Sequence, residues 1–200
     1  MKLISKRLNN KIKYMKLDKV ILDNADEVTK PILKGTKEKM GMIPNMFALM
    51  ANNPALLDAY IKTDATFRQN SGLTAKEQEV VLLSVAVENE CTYCVAAHSF
   101  IGKNQSGLSD DELKALRNKG KLADPKLEAL HDFTQKMVQK RGFGDEADRE
   151  ALFKAGYNEK TIVAVVTGIG LKTLSNYFNH QAETPVDEAF ASFKWKAEKV

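Results

Sequence analysis

Residues 80–87 read Val-Val-Leu-Leu-Ser-Val-Ala-Val, apolar on nearly every side. Such a segment has no face to offer water, so it has to be buried. Thr74 with Glu77 three residues on forms a capping box just ahead of it, which is a helix start. The β-branched residues leave a strand as the alternative, but the flanking Ala, Glu and Leu favour a helix. The run is far short of the ~18 apolar residues of a membrane span, and no other stretch reaches that length. A buried helix of this kind needs other helices around it, and the rest of the chain supplies them.

Residues 19–40 carry a weak helical pattern with Pro31 as a start, ending near Gly41 and Pro44. Asn53 and Pro54 open a clearer helix with Leu57, Tyr60, Ile61 and Phe67 on one face. Asp64 falls on that same face, with no partner visible in the sequence. A helix over 91–105 bears Cys94, Ala97, His98 and Ile101 and stops before Gly107. Ser109 with Glu112 is a second capping box. Leu127, Leu130, Phe133 and Met137 mark a further helix, Asp145 starts another, and Gly156 stops it. Asn158 caps a long last helix, with Ile162, Val163, Val165, Val166 and Ile169 expected inside, then Leu174, Tyr177 and Phe178. No period-2 segment with hairpin signals and no fixed repeat occurs. The fold class is therefore all-α, a compact bundle of about seven or eight helices.

Apolar residues make up 44% of the 200-residue chain and charged ones 28%, as in ordinary soluble globular domains. The net charge of +4 is misleading about partners. Residues 1–16 hold Lys2, Lys6, Arg7, Lys11, Lys13 and Lys16 and no acid. Without those six, the chain has 24 basic against 26 acidic residues. A nucleic-acid surface is spread over a folded face rather than confined to one end. Neither a nucleic acid nor a membrane is expected as partner. Residues 1–18 read as a disordered basic extension and 19–200 as a single domain. The basic end lacks the apolar core of a secretory signal, and an organelle presequence is the alternative for it.

The two cysteines stand together as Cys91-Thr92-Tyr93-Cys94. With no signal sequence, they suit a reducing, cytoplasmic setting. Residues three and four apart share a helix face, so Cys91, Cys94 and His98 form one stripe over two turns. The stripe begins at a helix N-terminus, where free N–H groups and the dipole favour an anion. Such a position lowers a thiol from its usual value near 8.5. In one straight helix Glu79 would lie about 18 Å from Cys91. A break near Asn89-Glu90 that folds the chain back would instead set the Glu79 carboxylate beside His98.

Glu79, Cys91, Cys94 and His98, in this order and spacing, resemble the alkylhydroperoxidase AhpD-like branch of the carboxymuconolactone decarboxylase superfamily. Leu73-Thr74 with Glu77, and Gly107-Leu108-Ser109 with Glu112, add to the likeness, which covers residues 73–117. The flanks, Ile43-Pro44-Asn45-Met46-Phe47 and Ser175-Asn176-Tyr177 with Asn179, look like the longer peroxidase-related members. The resemblance implies an AhpD-like helical fold, assembly into trimers or hexamers, and thiol-dependent reduction of organic hydroperoxides without a bound cofactor or metal. By position it makes Cys94 the peroxidatic thiol, Cys91 the more exposed partner thiol, and His98 with Glu79 the proton relay. The reductant would be a dithiol protein, lipoyl-bearing or thioredoxin-like. One departure stands out: Tyr93 occupies the place of a second histidine and becomes a pocket or packing residue.

Three other uses of the same residues are open at this level. The pair could toggle as a sensor without fast turnover. Cys91, Cys94 and His98 could hold zinc, with Glu79, His131 or His180 as fourth ligand. Glu79 and His98 could serve as acid and base in a decarboxylase-type reaction that needs no cysteine. Of the remaining residues, His131 reads as surface, the Asn176–His180 cluster as capping, and Met40, Met42, Met46 and Met50 as packing or a lid. Trp195 is a residue for a subunit boundary.

Overall fold

The computed structural model describes residues 15–197. Among these residues the secondary structure is entirely helical, with nine α-helices and one 3-10 helix. They are α1 (Thr29–Met40), α2 (Asn45–Met50), α3 (Pro54–Asn70), α4 (Ala75–Glu88) and α5 (Thr92–Asn104). Then follow α6 (Asp110–Arg117), α7 (Pro125–Gln139), α8 (Glu146–Lys154), α9 (Glu159–Ala182) and the 3-10 helix Glu188–Phe193. The all-α expectation holds. Two short elements lie beyond what periodicity shows: α2, of six residues, and the 3-10 helix. Neither is long enough to display a repeat.

The starts follow from local chemistry. The Asn53 side chain accepts from the N–H groups of Ala55 and Leu56, and Pro54 fills the first helical position. Both capping boxes form, Thr74 with Glu77 and Ser109 with Glu112. Asp26 receives the Thr29 N–H at 2.7 Å, so α1 begins two residues before Pro31. Residues 1–14 of the basic extension lie outside the described residues. Met15 to Asp18 lie against the body, through Met15 N–H to the Gln181 carbonyl and Asn52 Nδ2 to the Asp18 carbonyl.

The apolar helix α4 is the centre of the bundle. Every residue from Glu77 to Val87 is buried, and α5, α6, α7 and α9 all pack on it. Each buried Val or Leu contributes about 1.5–3 kcal/mol, which makes this helix the main apolar anchor. The chain then breaks at Asn89-Glu90. Glu90 takes a left-handed φ of 54°, and Cys91 N–H returns to the Ala86 carbonyl at 2.9 Å. This turn folds α5 back along α4.

The last helix differs from expectation. Val163, Val166 and Tyr177 are exposed, while Gly168, Lys172, Ser175, Asn176 and Asn179 are buried. In a helix apolar on most sides, hydropathy cannot choose the inward face. Close approach decides it. A Cβ at Gly168 would meet Val81 Cγ1 at 2.7 Å and the Phe67 ring at 3.4 Å, so α9 docks through its glycine.

Candidate active site

Cys91 is the N-cap residue of α5, Cys94 sits in its first turn, and His98 follows one turn on. Both thiols are free and only 1% exposed. The two nevertheless differ. Cys94 lines a cavity of about 670 Å³, whereas Cys91 lies behind it in the apolar core. Cys91 is thus not the more exposed thiol, because α9 covers the N-cap, with Asn179 Nδ2 3.8 Å from its sulfur.

The folded-back turn sets Glu79 beside His98, with Oε2 2.8 Å from Nδ1. The other carboxylate oxygen, Oε1, is 2.6 Å from Arg68 Nη1, an ion pair without hydrogen-bond alignment. Arg68 in turn faces Asp64 at 3.6 Å, which gives that residue its partner on α3. Burial would raise the Glu79 carboxyl, but His98 and Arg68 outweigh it and hold the group below the usual value.

The sequence reading missed the opposite wall, which is α9. Lys172 is fully buried, and its Nζ stands 2.8 Å from His98 Nε2. An ammonium only donates. Nε2 therefore accepts, and the ring proton sits on Nδ1 and is donated to Glu79. One turn further, Ser175 Oγ lies 3.7 Å from Cys94 Sγ. Asn179 Nδ2 lies 3.2 Å from Cys94 Sγ, 3.8 Å from Cys91 Sγ and 3.2 Å from Met46 Sδ. A signal for this wall existed: Lys172, Ser175 and Asn179 repeat at helical spacing in an apolar helix.

These groups separate the two thiols. Burial alone would raise Cys94, but the Cys91 thiol donating to it and then the positive charge of Lys172 bring it well below the ordinary thiol value. Cys91 is pushed the other way, first by donating to Cys94 and then by burial. The two opposite shifts make Cys94, the thiol at the cavity wall, the one that ionises first.

Tyr93 also lines the cavity, with its ring between Phe190 and α2. Its hydroxyl donates to Asp187 Oδ2 at 2.6 Å, and Asp187 accepts from the Asn45 N–H at 3.0 Å. Burial and this acceptor raise the phenol. Met40, Met42 and Met46 line the cavity, while Met50 is core.

The remaining candidates are scattered. His131 is 1% exposed, not at the surface, with Nδ1 2.7 Å from Ser84 Oγ, because α7 packs lengthwise on α4. His180 is exposed and stacks on Tyr177. Trp195 Nε1 donates to the Arg117 carbonyl of its own chain. Among the described residues no three His, Cys, Asp or Glu side chains converge as metal ligands, and both His98 nitrogens are already engaged.

The fold and site define an AhpD-like helical protein with a buried dithiol. Residues 54–123, which carry the motif, match the carboxymuconolactone decarboxylase family, so the resemblance read from Glu79, Cys91, Cys94 and His98 holds for this core. No curated protein matches the chain. Among solved structures, an uncharacterized peroxidase-related protein of Ralstonia eutropha JMP134 with the alkylhydroperoxidase AhpD core is 24% identical, with a TM-score of 0.77 over 89% of this chain and 95% of that one. A peroxidase-related protein of Silicibacter sp. TM1040 is 23% identical, with a TM-score of 0.74 over 90% and 97%. The debrominase Bmp8, solved as a cysteine-to-alanine variant with 2,3,4-tribromopyrrole, is 14% identical, with a TM-score of 0.74 over the same shares. At these identities the likeness concerns the fold.

Proposed function

We propose that the protein is a thiol-dependent hydroperoxidase in which Cys94 attacks and Cys91 resolves. The observation that carries this reading is the position of Cys94. It is the thiol that reaches the 670 Å³ cavity, Asn179 Nδ2 donates to its sulfur, Ser175 Oγ lies beside it, and the buried Lys172 lines the same cavity. The thiolate attacks the distal peroxide oxygen and becomes a sulfenic acid. The Cys91 thiol then condenses with it to a disulfide and releases water. A dithiol protein, lipoyl-bearing or thioredoxin-like, restores both thiols by exchange. Two free cysteines fit a reducing cytoplasm. Among the described residues no helix is long and apolar enough to cross a membrane. Assembly into trimers or hexamers belongs to the same reading, and the exposed Val163, Val166 and Tyr177 on α9 offer apolar surface for it.

The test is a thiol count on reduced protein after one equivalent of cumene hydroperoxide. Wild type loses two thiols, Cys91→Ser stops at a trappable sulfenic acid, and Cys94→Ser keeps its remaining thiol. Survival of both thiols in wild type under excess peroxide sinks the reading.

A second reading draws on the aromatic cavity wall, where Phe47, Tyr60, Phe100 and Phe190 gather, and on a debrominase having this fold. The same dithiol would reduce a carbon–halogen bond, forming the disulfide and releasing halide. Halide release from a brominated pyrrole, with no thiol loss to peroxide, would favour it.

A further inference from the structure

The hydroperoxidase reading leaves one proton unaccounted for. When thiolate sulfur takes the distal oxygen, the O–O bond breaks and its electron pair stays on the proximal oxygen. That alkoxide must be protonated as it leaves. The proton has to come from a group at the cavity wall, in a site that holds several buried charges.

His98 does not supply it in this arrangement. Its Nδ1 proton is given to Glu79, and its Nε2 accepts from Lys172. Tyr93 donates to Asp187. Tyr60, also at the wall, is held protonated first by its burial and then by the negative charge of Asp64. A phenolate there would be a further buried anion. Lys172 is different. It lines the same cavity, is fully buried, and spends one of its three N–H bonds on His98. The ionisable groups around it are Cys94 on the same cavity wall, Glu79 on the other side of His98, and beyond Glu79 Arg68 with Asp64.

We propose that Lys172 is the proton donor to the leaving oxygen, and that the Cys94 thiolate and the Lys172 ammonium, both on the wall of this cavity, are neutralised together in the peroxidatic step. The inference rests on the hydroperoxidase reading. The step balances. A sulfur–oxygen bond forms, the O–O bond breaks, and the ammonium gives one proton to the alkoxide. Thiolate, ammonium and hydroperoxide become sulfenic acid, amine and alcohol. Cys94 is oxidised and the hydroperoxide is reduced. No buried charge is left alone, because a cation and an anion vanish together. Had the proton come from a neutral group such as Tyr60, its conjugate base would remain as a buried anion opposite the Lys172 cation, and the site would keep two buried charges instead of losing both. When an external dithiol reduces the disulfide, one of its protons goes to Cys91 and the other returns to Lys172, restoring the thiolate and the ammonium.

The test compares two oxidants that differ in the leaving group. Cumene hydroperoxide expels an alkoxide that needs a proton. Perbenzoic acid expels a carboxylate that does not. Thiol oxidation is followed by stopped flow in wild type and Lys172→Met, at a pH where thiolate absorbance at 240 nm shows Cys94 ionised in both. Lys172→Met is expected to slow the hydroperoxide about 10²-fold and to leave the peracid near the wild-type rate. In wild type, a solvent deuterium isotope effect should accompany the hydroperoxide and vanish with the peracid, a readout that needs no variant to fold. Equal slowing with both oxidants, or the same isotope effect with both, overturns the role of Lys172. Wild-type thiols that survive both oxidants overturn the hydroperoxidase reading itself.

Discussion

Lys172 Nζ stands 2.8 Å from His98 Nε2, and both groups are buried. This contact joins the α9 wall to the Glu79–His98 pair of the α4–α5 hairpin. It fixes the imidazole tautomer, since an ammonium cannot accept, and it holds a cation on the cavity wall that Cys94 also lines.

Removing that cation should raise the thiol. In Lys172→Met the midpoint of the 240 nm thiolate absorbance is expected to move up by about 1–3 pH units relative to wild type. Asn179→Leu and Ser175→Ala should move it in the same direction by less, because each removes a polar neighbour of the sulfur and not a charge. A midpoint unchanged in all three would show that α9 does not control the thiol.

The lowered thiol also predicts a stability profile. A group whose value falls on folding adds stability above its unfolded value, here about 9. That stability is lost as the pH falls through the lowered folded value. The melting temperature of wild type minus that of Cys94→Ser should therefore rise from mildly acid pH toward about pH 9. Above that, Cys91, which is raised, costs stability, because its thiol ionises in the unfolded chain while the fold keeps it protonated. Melting curves across pH 5–10 check the sign.

Glu79→Gln should be among the most destabilising single changes. It leaves Arg68 and Lys172 facing one another across His98 with no buried carboxylate between them. Breaking a buried pair from one side costs about 3–5 kcal/mol, measurable by urea unfolding. A loss below ~1 kcal/mol would mean that water or Asp64 already compensates the site.

Tyr93→Phe separates packing from chemistry. It removes the hydroxyl that donates to Asp187 and leaves that buried carboxylate with the Asn45 N–H. About 1–3 kcal/mol of stability should go, while the Cys94 titration stays near wild type. A large shift in that titration would instead make Tyr93 part of the thiol machinery.

Gly168→Ala tests the docking of α9. The added methyl meets Val81 Cγ1 at 2.7 Å, and overpacking of this kind costs about 1–3 kcal/mol. Because the same helix carries Lys172, Ser175 and Asn179, the thiolate midpoint should rise too. Loss of stability with an unmoved midpoint would show that the site tolerates a shifted helix.

The sequence by itself determined the helical class, the capping boxes, and the juxtaposition of Cys91, Cys94 and His98, because these are properties of neighbours along one chain. Spacing of three and four residues sets a helix face, and a cap acts within a turn. Glu79 beside His98 was also within reach, given one turn at Asn89-Glu90 that folds α5 onto α4. The inward face of α9 was not. That helix is apolar on most sides, so its hydropathy is nearly silent about orientation, and only the contact of Gly168 with Val81 and Phe67 selects it. Lys172, Ser175 and Asn179 reach the thiols through that choice, across more than seventy residues of sequence. His131 was misjudged for the same reason: its Ser84 partner lies on another helix. Burial of a polar group depends on a partner that only packing supplies, and for Cys94 those partners come from α9.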